Sequence, residues 1–164
     1  MKTREEYAKL SREERLVRIA GTPAAIDQAV KGRSEAALAR RPDPKNWAPT
    51  EVICHLRDNE EWFLTRLRLI MITNEPCFLT TSPDGEAEDR QYLRNDPYLA
   101  VETFARRREA TIQFYRHLEP EHWERVGIHM DSRGRRSLDE FLTVIAWHDD
   151  NHLGQLERAL EGRA

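Results

Sequence analysis

Apolar residues recur every three or four positions along four long stretches of the chain, which is the spacing of an amphipathic α-helix. Residues that favour helix starts precede these stretches, as in Ser11-Arg12-Glu13-Glu14 and Ser137-Leu138-Asp139-Glu140, which have the form of capping boxes. The predicted long helices cover residues 15–30, 49–71, 96–118 and 137–162. Four long helices joined by one extended connection predict an all-α fold, a four-helix bundle.

The connections between these helices are less regular. Residues 72–95 are rich in turn-forming residues, and a loop of that length inside a compact domain is often functional. Before the last helix, Asp131-Ser132-Arg133-Gly134 predicts a turn in a small hairpin or irregular segment. Within the first long helix, Gly21-Thr22-Pro23 predicts either a restart capped by Thr22 or a kink. Residues 34–39 are expected to add a short helical turn.

Length and composition limit the class of protein. The 164 residues fit a single domain, so residues 1–164 are expected to form one helical unit. A net charge of -3 argues against a nucleic-acid-binding surface, for which a basic surplus is typical. The clustered arginines, such as Arg135-Arg136, are interpreted as solvated helix faces or turns.

The cellular setting is predicted from what the chain lacks. No stretch approaches the roughly 18 apolar residues that a membrane span needs, and the first residues do not resemble an export signal. Cys54 and Cys77 are too few for a disulfide framework or a thiolate metal cluster. These observations favour a cytoplasmic protein without membrane or nucleic-acid partners.

Three histidines are the strongest chemical feature of the chain. His148 and His152 are four residues apart in the last predicted helix, so both imidazoles lie on one helix face, which is the apolar one. His55 borders the apolar stripe of the second long helix. If these two helices pack together, three neutral nitrogens converge and leave one coordination position of an ion open, as in a reactive metal site.

The residues alone leave the role of these histidines open. A buried histidine is most often a packed side chain with satisfied hydrogen bonds, and a water-lined pocket without metal is a further alternative. Burying both His148 and His152 unpaired would be costly, because each ring needs a partner for a nitrogen that water no longer serves. A metal ion would supply that partner.

Two separated motifs strengthen the metal interpretation. They are W-A-P-x-E-V-x-x-H-L-x-D-x-E at residues 47–60 and H-x-x-x-H-x-x-Q at residues 148–155. Together with the order of the helices, they resemble the DinB-like family of bacterial four-helix proteins. The resemblance covers essentially the whole chain and has two departures: Ala48 stands where Ser or Thr is common, and Asn151 where many relatives carry a histidine.

The resemblance implies a DinB-like bundle that binds a divalent metal, commonly zinc or nickel, through His55, His148 and His152. The family includes transferases that use a low-molecular-weight thiol (bacillithiol, mycothiol or glutathione) as cosubstrate, and family membership also implies a homodimer. Three neutral imidazoles would leave the charge of the ion uncompensated and so acidify a thiol or water at the open position.

We therefore expect a metal-dependent enzyme that activates a small thiol, or else water, for attack on a small-molecule electrophile in detoxification or stress chemistry. The competing function is a non-catalytic stress-response or interaction module, in which the ion only stiffens the bundle.

Further expectations concern the residues around the ion. Each ligating ring needs an orienting partner for its other nitrogen. Five polar residues lie near enough along the helices: Glu51, Asp58, Asn59, Asp149 and Gln155. Asp149 is the favoured one because it lies toward the buried side of the last helix. His129 could also reach the cleft, whereas Trp62, Trp123 and Trp147 are interpreted as core residues.

Overall fold

Four long helices form the frame of the protein in a computed structural model that describes residues 2–80, 82–131 and 133–164. The helices are α1 (Arg4–Ala8), α2 (Arg12–Val30), α3 (Glu35–Leu38), α4 (Pro49–Ile72), α5 (Pro83–Asp89), α6 (Pro97–Arg116) and α7 (Leu138–Leu160). The strands are β1 (Cys77–Phe78), β2 (Val126–His129) and β3 (Gly134–Ser137), and 3₁₀ turns cover Tyr92–Arg94 and Pro120–Glu124. Helices α2 and α4 each pack against both α6 and α7, which confirms the predicted four-helix bundle. In the described part of the chain, no helix has the length and apolar character of a membrane span.

The boundaries of the long helices agree with the prediction to within a few residues. The largest difference is at α2, which begins at Arg12 rather than at residue 15. The Ser11 hydroxyl accepts a hydrogen bond from the Glu14 N–H, and the Glu14 carboxylate accepts one from the Ser11 N–H. Because this reciprocal cap satisfies the first free N–H groups, the helix starts directly after Ser11.

The connections contain more regular structure than the sequence pattern indicates. Residues 72–95 include β1, α5 and a 3₁₀ turn. The predicted hairpin before α7 is present, because β2 and β3 pair antiparallel with His129 opposite Gly134. Strand β1 adds to β2 in parallel, so the sheet order is β1-β2-β3. A strand of two residues carries almost no periodic signal, which is why the sequence did not predict it.

Helix α2 runs through its proline without interruption, so of the two alternatives predicted at Gly21-Thr22-Pro23, the restart is wrong. Pro23 has no N–H to donate to the Ile19 carbonyl one turn earlier. The Nη1 atom of Arg108, on α6, donates to that carbonyl over 2.9 Å instead. A side chain from a neighbouring helix therefore replaces the hydrogen bond that proline removes.

Buried apolar side chains of the described residues form two clusters along the bundle. From the long helices, the cluster that reaches the sheet includes Leu16, Phe63, Ile112 and Phe141, and the other includes Ile26, Leu56, Phe104 and Leu156. Between the two clusters, each long helix contributes a buried polar residue to one hydrogen-bonded group: Thr22, Glu60, Arg108 and Asp149. We refer to these four residues as the polar layer.

Arg108 is the centre of the polar layer. Its guanidinium donates to both oxygens of Asp149, with an Nη2–Oδ1 distance of 3.0 Å, and to Glu60 Oε2 over 2.7 Å. The Thr22 hydroxyl donates to Asp149 Oδ2 over 2.5 Å. Burial alone would lower the pKa of Arg108, but Asp149 and Glu60 together raise it above its ordinary value. Arg108 thus contacts each of the other three long helices and constrains how they pack.

Replacing Arg108 by leucine should destabilise the bundle strongly. The carboxylates of Glu60 and Asp149 would remain buried without a cation, and removing one partner of a buried ion pair typically costs about 3–5 kcal/mol. Urea unfolding followed by circular dichroism should show this loss in the free energy of unfolding. The exposed Arg106→Leu on the same helix should change it by less than about 0.5 kcal/mol. Equal stability of the two variants would contradict the role of Arg108.

Candidate metal centre

Three histidine rings from two helices meet at one point of the bundle. His55 projects from α4, and His148 and His152 project from successive turns of α7. The Nε2 atoms of His55 and His148 are 3.2 Å apart, and each of the three residues offers a ring nitrogen within 4.8 Å of the others. The ring centroids are between 4.3 and 5.3 Å apart. The structure therefore brings together all three predicted ligands.

The start of α4 determines where His55 lies. Ala48 has no side-chain acceptor to cap this helix, and the Glu51 carboxylate accepts from the Ala48 N–H over 2.8 Å. Arg41 donates to the same carboxylate, with an Nε–Oε2 distance of 2.7 Å. Glu51 therefore holds the helix start one turn before His55. Glu51, one of the five candidates for orienting a ligating ring, therefore has other partners among the described residues.

Burial favours the neutral form of all three rings. It lowers the pKa of His55 to about 3, with a further contribution from His152. The pKa of His148 lies well below its ordinary value because of burial and then because of the two neighbouring rings. Burial also lowers the pKa of His152, although a hydrogen bond with Gln155 acts in the opposite direction. Neutral imidazole is the form that binds a metal ion.

Gln155 orients one of the three rings. Its Oε1 atom accepts from Nδ1 of His152 over 2.8 Å. With the proton on Nδ1, the Nε2 atom presents its lone pair for coordination. Among the five predicted orienting residues, Gln155 is the one that the described contacts place in this role.

Asp149, the favoured orienting residue, has different partners. Its carboxylate binds Arg108 and Thr22 in the polar layer, so the prediction that it supports a ligating ring is wrong. Consecutive helix residues point about 100° apart, which directs Asp149 away from the ring of His148. Asp58 likewise forms ion pairs with arginines on α4, α6 and the loop after α5.

The side chain of Asn59 contacts the Nε2 atoms of His55 and His148, which face one another. Its Nδ2 atom is 2.8 Å from Nε2 of His148 and 3.4 Å from Nε2 of His55. Because the amide contacts Nε2 and not the outer nitrogen, Asn59 does not orient these rings in the way predicted. Its amide is a hydrogen-bond donor at the point where the two rings meet.

A divalent ion fits this donor set. When nitrogen ligands surround an ion tetrahedrally at about 2.0–2.1 Å, two of them lie about 3.3 Å apart. The observed distance of 3.2 Å between His55 and His148 agrees with that value. Imidazole ligands suit zinc and nickel among other transition metals. Three protein ligands leave a fourth position for a reacting molecule.

The three rings line a cavity of about 480 Å³, a volume within the range of small-molecule sites. Trp47, Phe63 and Trp147 contribute aromatic surface to its wall. The ring of Trp47 is 5.1 Å from that of His55, and the ring of Phe63 is 5.8 Å from that of His148, measured between centroids. The candidate metal centre is therefore open to a space that a substrate can fill.

The sequence predicted only part of this wall. His129 lines the cavity, as expected, and Trp123 is a core residue. Trp147 packs against the core but also borders the cavity, and Trp62 is partly exposed. Arg136, interpreted from the sequence as a solvated turn residue, also lines the cavity. Which of two successive arginines points inward depends on the hairpin register, which the sequence pattern does not show.

A family model and a solved structure match the chain. The model of the DinB superfamily matches residues 18–156. The chain belongs to the DinB superfamily. This DinB-superfamily protein is similar in structure to YfiT from Bacillus subtilis, with a TM-score of 0.85 and 17% sequence identity over 100% of this chain and 92% of that chain. YfiT is described as a probable metal-dependent hydrolase with an unusual four-helix bundle topology. No curated protein matches the DinB-superfamily chain in sequence.

Gln155→Ala should weaken zinc binding about 10–100-fold, because the ring of His152 would lose the acceptor that fixes its proton on Nδ1. Isothermal titration of the tag-free protein with zinc measures this change. Glu157→Gln, at an exposed position of the same helix, is the matched control and should keep the affinity of the unmodified protein. An unchanged zinc affinity in Gln155→Ala would show that Gln155 does not orient a ligand.

Proposed function

We propose that this DinB-superfamily protein is a metal-dependent enzyme in which His55, His148 and His152 bind one divalent ion beside a reacting small molecule. The observation that carries the proposal is the position of the three rings in the wall of the 480 Å³ cavity. An ion that only stiffens a bundle needs no space beside it. A reacting ion needs room for a nucleophile and its acceptor. Zinc and nickel are the proposed metals.

The side chains around the rings suit this chemistry. When bound by three neutral imidazoles, a divalent ion acidifies a thiol or a water molecule in its open coordination position. None of the described residues in the cavity wall is Asp or Glu, so no carboxylate there neutralises the site. Trp47 and Trp147 provide apolar surface against which a small electrophile can pack. The Asn59 amide can donate a hydrogen bond to the nucleophile or the electrophile.

A small thiol is the proposed nucleophile, on the strength of the resemblance to DinB-like transferases. Its sulfur forms a bond to an electrophilic carbon, and the thiol proton leaves together with the departing group. Water is the second candidate, and the description of YfiT as a probable metal-dependent hydrolase supports it. The histidines would have the same role in both reactions, because the thiol reaction and the water reaction both need an ion with neutral ligands and an open coordination position.

A non-catalytic module that uses the ion for stability is the competing function. It predicts a melting temperature that rises with bound metal, and no turnover with any pair of nucleophile and electrophile. The volume beside the rings favours the enzyme. A homodimer, a cytoplasmic location and a part in stress chemistry remain predictions from the sequence.

His152→Ala should lower zinc affinity by more than about 100-fold, since it removes one of three ligands and orienting residues alone contribute about 10–100-fold. Isothermal titration and elemental analysis of the tag-free protein measure the loss. The far-ultraviolet circular dichroism spectrum should remain helical, because the polar layer is unchanged. His117→Ala, which removes an exposed histidine at the end of α6, should retain zinc. Full zinc occupancy in His152→Ala would contradict the ligand assignment.

The zinc-loaded protein should convert a chromogenic electrophile such as 1-chloro-2,4-dinitrobenzene only when a small thiol is added. Absorbance assays of the unmodified protein and of His152→Ala, with and without thiol, measure this dependence. Hydrolysis of a chromogenic ester without thiol would instead identify water as the nucleophile. Failure of both reactions with a panel of thiols, esters and metals would support the non-catalytic module.

A further inference from the structure

The cavity that contains the three metal-binding histidines also has a strongly basic wall. Among the described residues, the basic side chains that line it besides those histidines are Arg4, Arg66, Arg133, Arg136 and His129. No acidic side chain of the described residues lines it. The cavity therefore carries a surplus of positive charge that does not depend on a metal ion.

The β2–β3 hairpin directs two of these side chains to the same side. Across the hairpin, Arg136 pairs with Gly127, and His129 pairs with Gly134. Because side chains alternate along a strand and paired residues share a face, His129 and Arg136 lie on one face of the hairpin. Arg135 lies on the other face and is exposed. The hairpin thus presents one of its two neighbouring arginines to the cavity.

His129 is a buried polar side chain without a partner. It is 3% exposed, and neither ring nitrogen has a hydrogen-bond partner among the described residues. Buried polar atoms are normally paired, so this ring lacks a bond that a ligand could supply. Burial and the nearby Arg133, Arg66 and Arg136 lower the pKa of His129 to about 4. The neutral ring still has one N–H to donate.

Arg66 and Arg136 form no ion pair with any described acidic side chain. Arg66 is 8% exposed, and its guanidinium donates to a backbone carbonyl. The pKa of each of these two arginines is lowered by burial and then by neighbouring arginines. Arg133, by contrast, binds Asp131 over 2.6 Å. Two partly desolvated cations therefore share one wall without a counter-charge, which is unfavourable unless an anion binds there.

The other acidic groups that act on these arginines are engaged elsewhere. Glu86 accepts from the Trp62 indole over 3.0 Å and pairs with Arg90. Glu140 accepts from the Ser137 N–H over 2.8 Å and thereby caps α7. Neither carboxylate lines the cavity. Neither Glu86 nor Glu140 therefore neutralises the basic wall of the cavity.

We infer that Arg66, Arg136 and His129 form an anion-binding subsite, which holds the carboxylate or phosphate group of an organic substrate. Guanidinium groups bind both kinds of anion through paired N–H donors, and His129 adds its free N–H. The reactive part of the same molecule extends toward the three metal-binding histidines within the 480 Å³ cavity. That the anion is a substrate rests on the proposed function, whereas the binding of the anion does not.

Anion binding to the full chain tests the subsite. Isothermal titrations with succinate and with inorganic phosphate should show saturable binding to both the zinc-loaded and the metal-free protein. The metal-free protein separates the subsite from any anion that binds the ion directly. Tighter binding of succinate would assign a carboxylate, and tighter binding of phosphate would assign a phosphate group. Both results support the subsite.

The two neighbouring arginines of β3 give matched variants. Arg136→Gln should weaken anion binding at least about 10-fold, because it removes charge-assisted hydrogen bonds. Arg135→Gln removes an exposed arginine that pairs with Glu75, and it should leave the anion affinity unchanged. His129→Phe is a second test, since it keeps an aromatic ring beside Phe141 but removes the N–H donor, and it should also weaken binding. Zinc affinity should be the same in all three variants.

The failures of the subsite and of the proposed function are distinguishable. Zinc binding without saturable anion binding would overturn the subsite and leave the proposed function standing. Equal anion affinity in Arg136→Gln, His129→Phe and the unmodified protein would also overturn it. Saturable anion binding that is lost in these variants, in a protein that does not bind zinc, would support the subsite and contradict the proposed function.

Discussion

The polar layer around Arg108 sets how the four long helices pack against one another. Arg108 binds Glu60 of α4, Asp149 of α7 and the Ile19 carbonyl of α2, so one guanidinium joins all the long helices. An unpaired charge in the core is costly, and the helices can therefore shift little relative to one another without breaking these bonds. The layer holds α4 against α7 at the level where Asp149 adjoins His148, and this brings the histidine rings of the two helices together.

The cavity beside the histidines is lined by basic and not by acidic side chains of the described residues, because the nearby carboxylates bind elsewhere. Three carboxylates within four residues of these histidines have other partners: Asp149 in the polar layer, Asp58 in ion pairs and Glu51 at the start of α4. Hydrogen-bond contacts of the three imidazoles with described residues are therefore with one another, with Asn59 and with Gln155, and include no carboxylate. The basic wall that includes Arg66 and Arg136 adds positive charge to the same space. A metal ion and this wall would attract negative charge together, which favours a nucleophile in its anionic form and an anionic substrate.

The long helices were predictable from the sequence because their apolar period persists over many turns and capping residues mark their starts. The convergence of the three histidines followed from their helical spacing and from the family motifs. The hydrogen-bond partners of the histidines could not be predicted in the same way. Helical periodicity does not show that Arg108, from another helix, binds Asp149, or that Gln155 is the residue that orients His152. The basic wall was missed for a similar reason: short strands do not specify the register that turns Arg136 inward and Arg135 outward.

We propose that His55, His148 and His152 bind one divalent ion at the edge of the cavity. Diffraction at the zinc absorption edge, from crystals of the tag-free full chain grown with zinc, would locate this ion. We predict one anomalous peak per chain, at about 2.0–2.1 Å from a ring nitrogen of each of the three histidines. The absence of a peak there, or zinc bound only by other side chains, would contradict it.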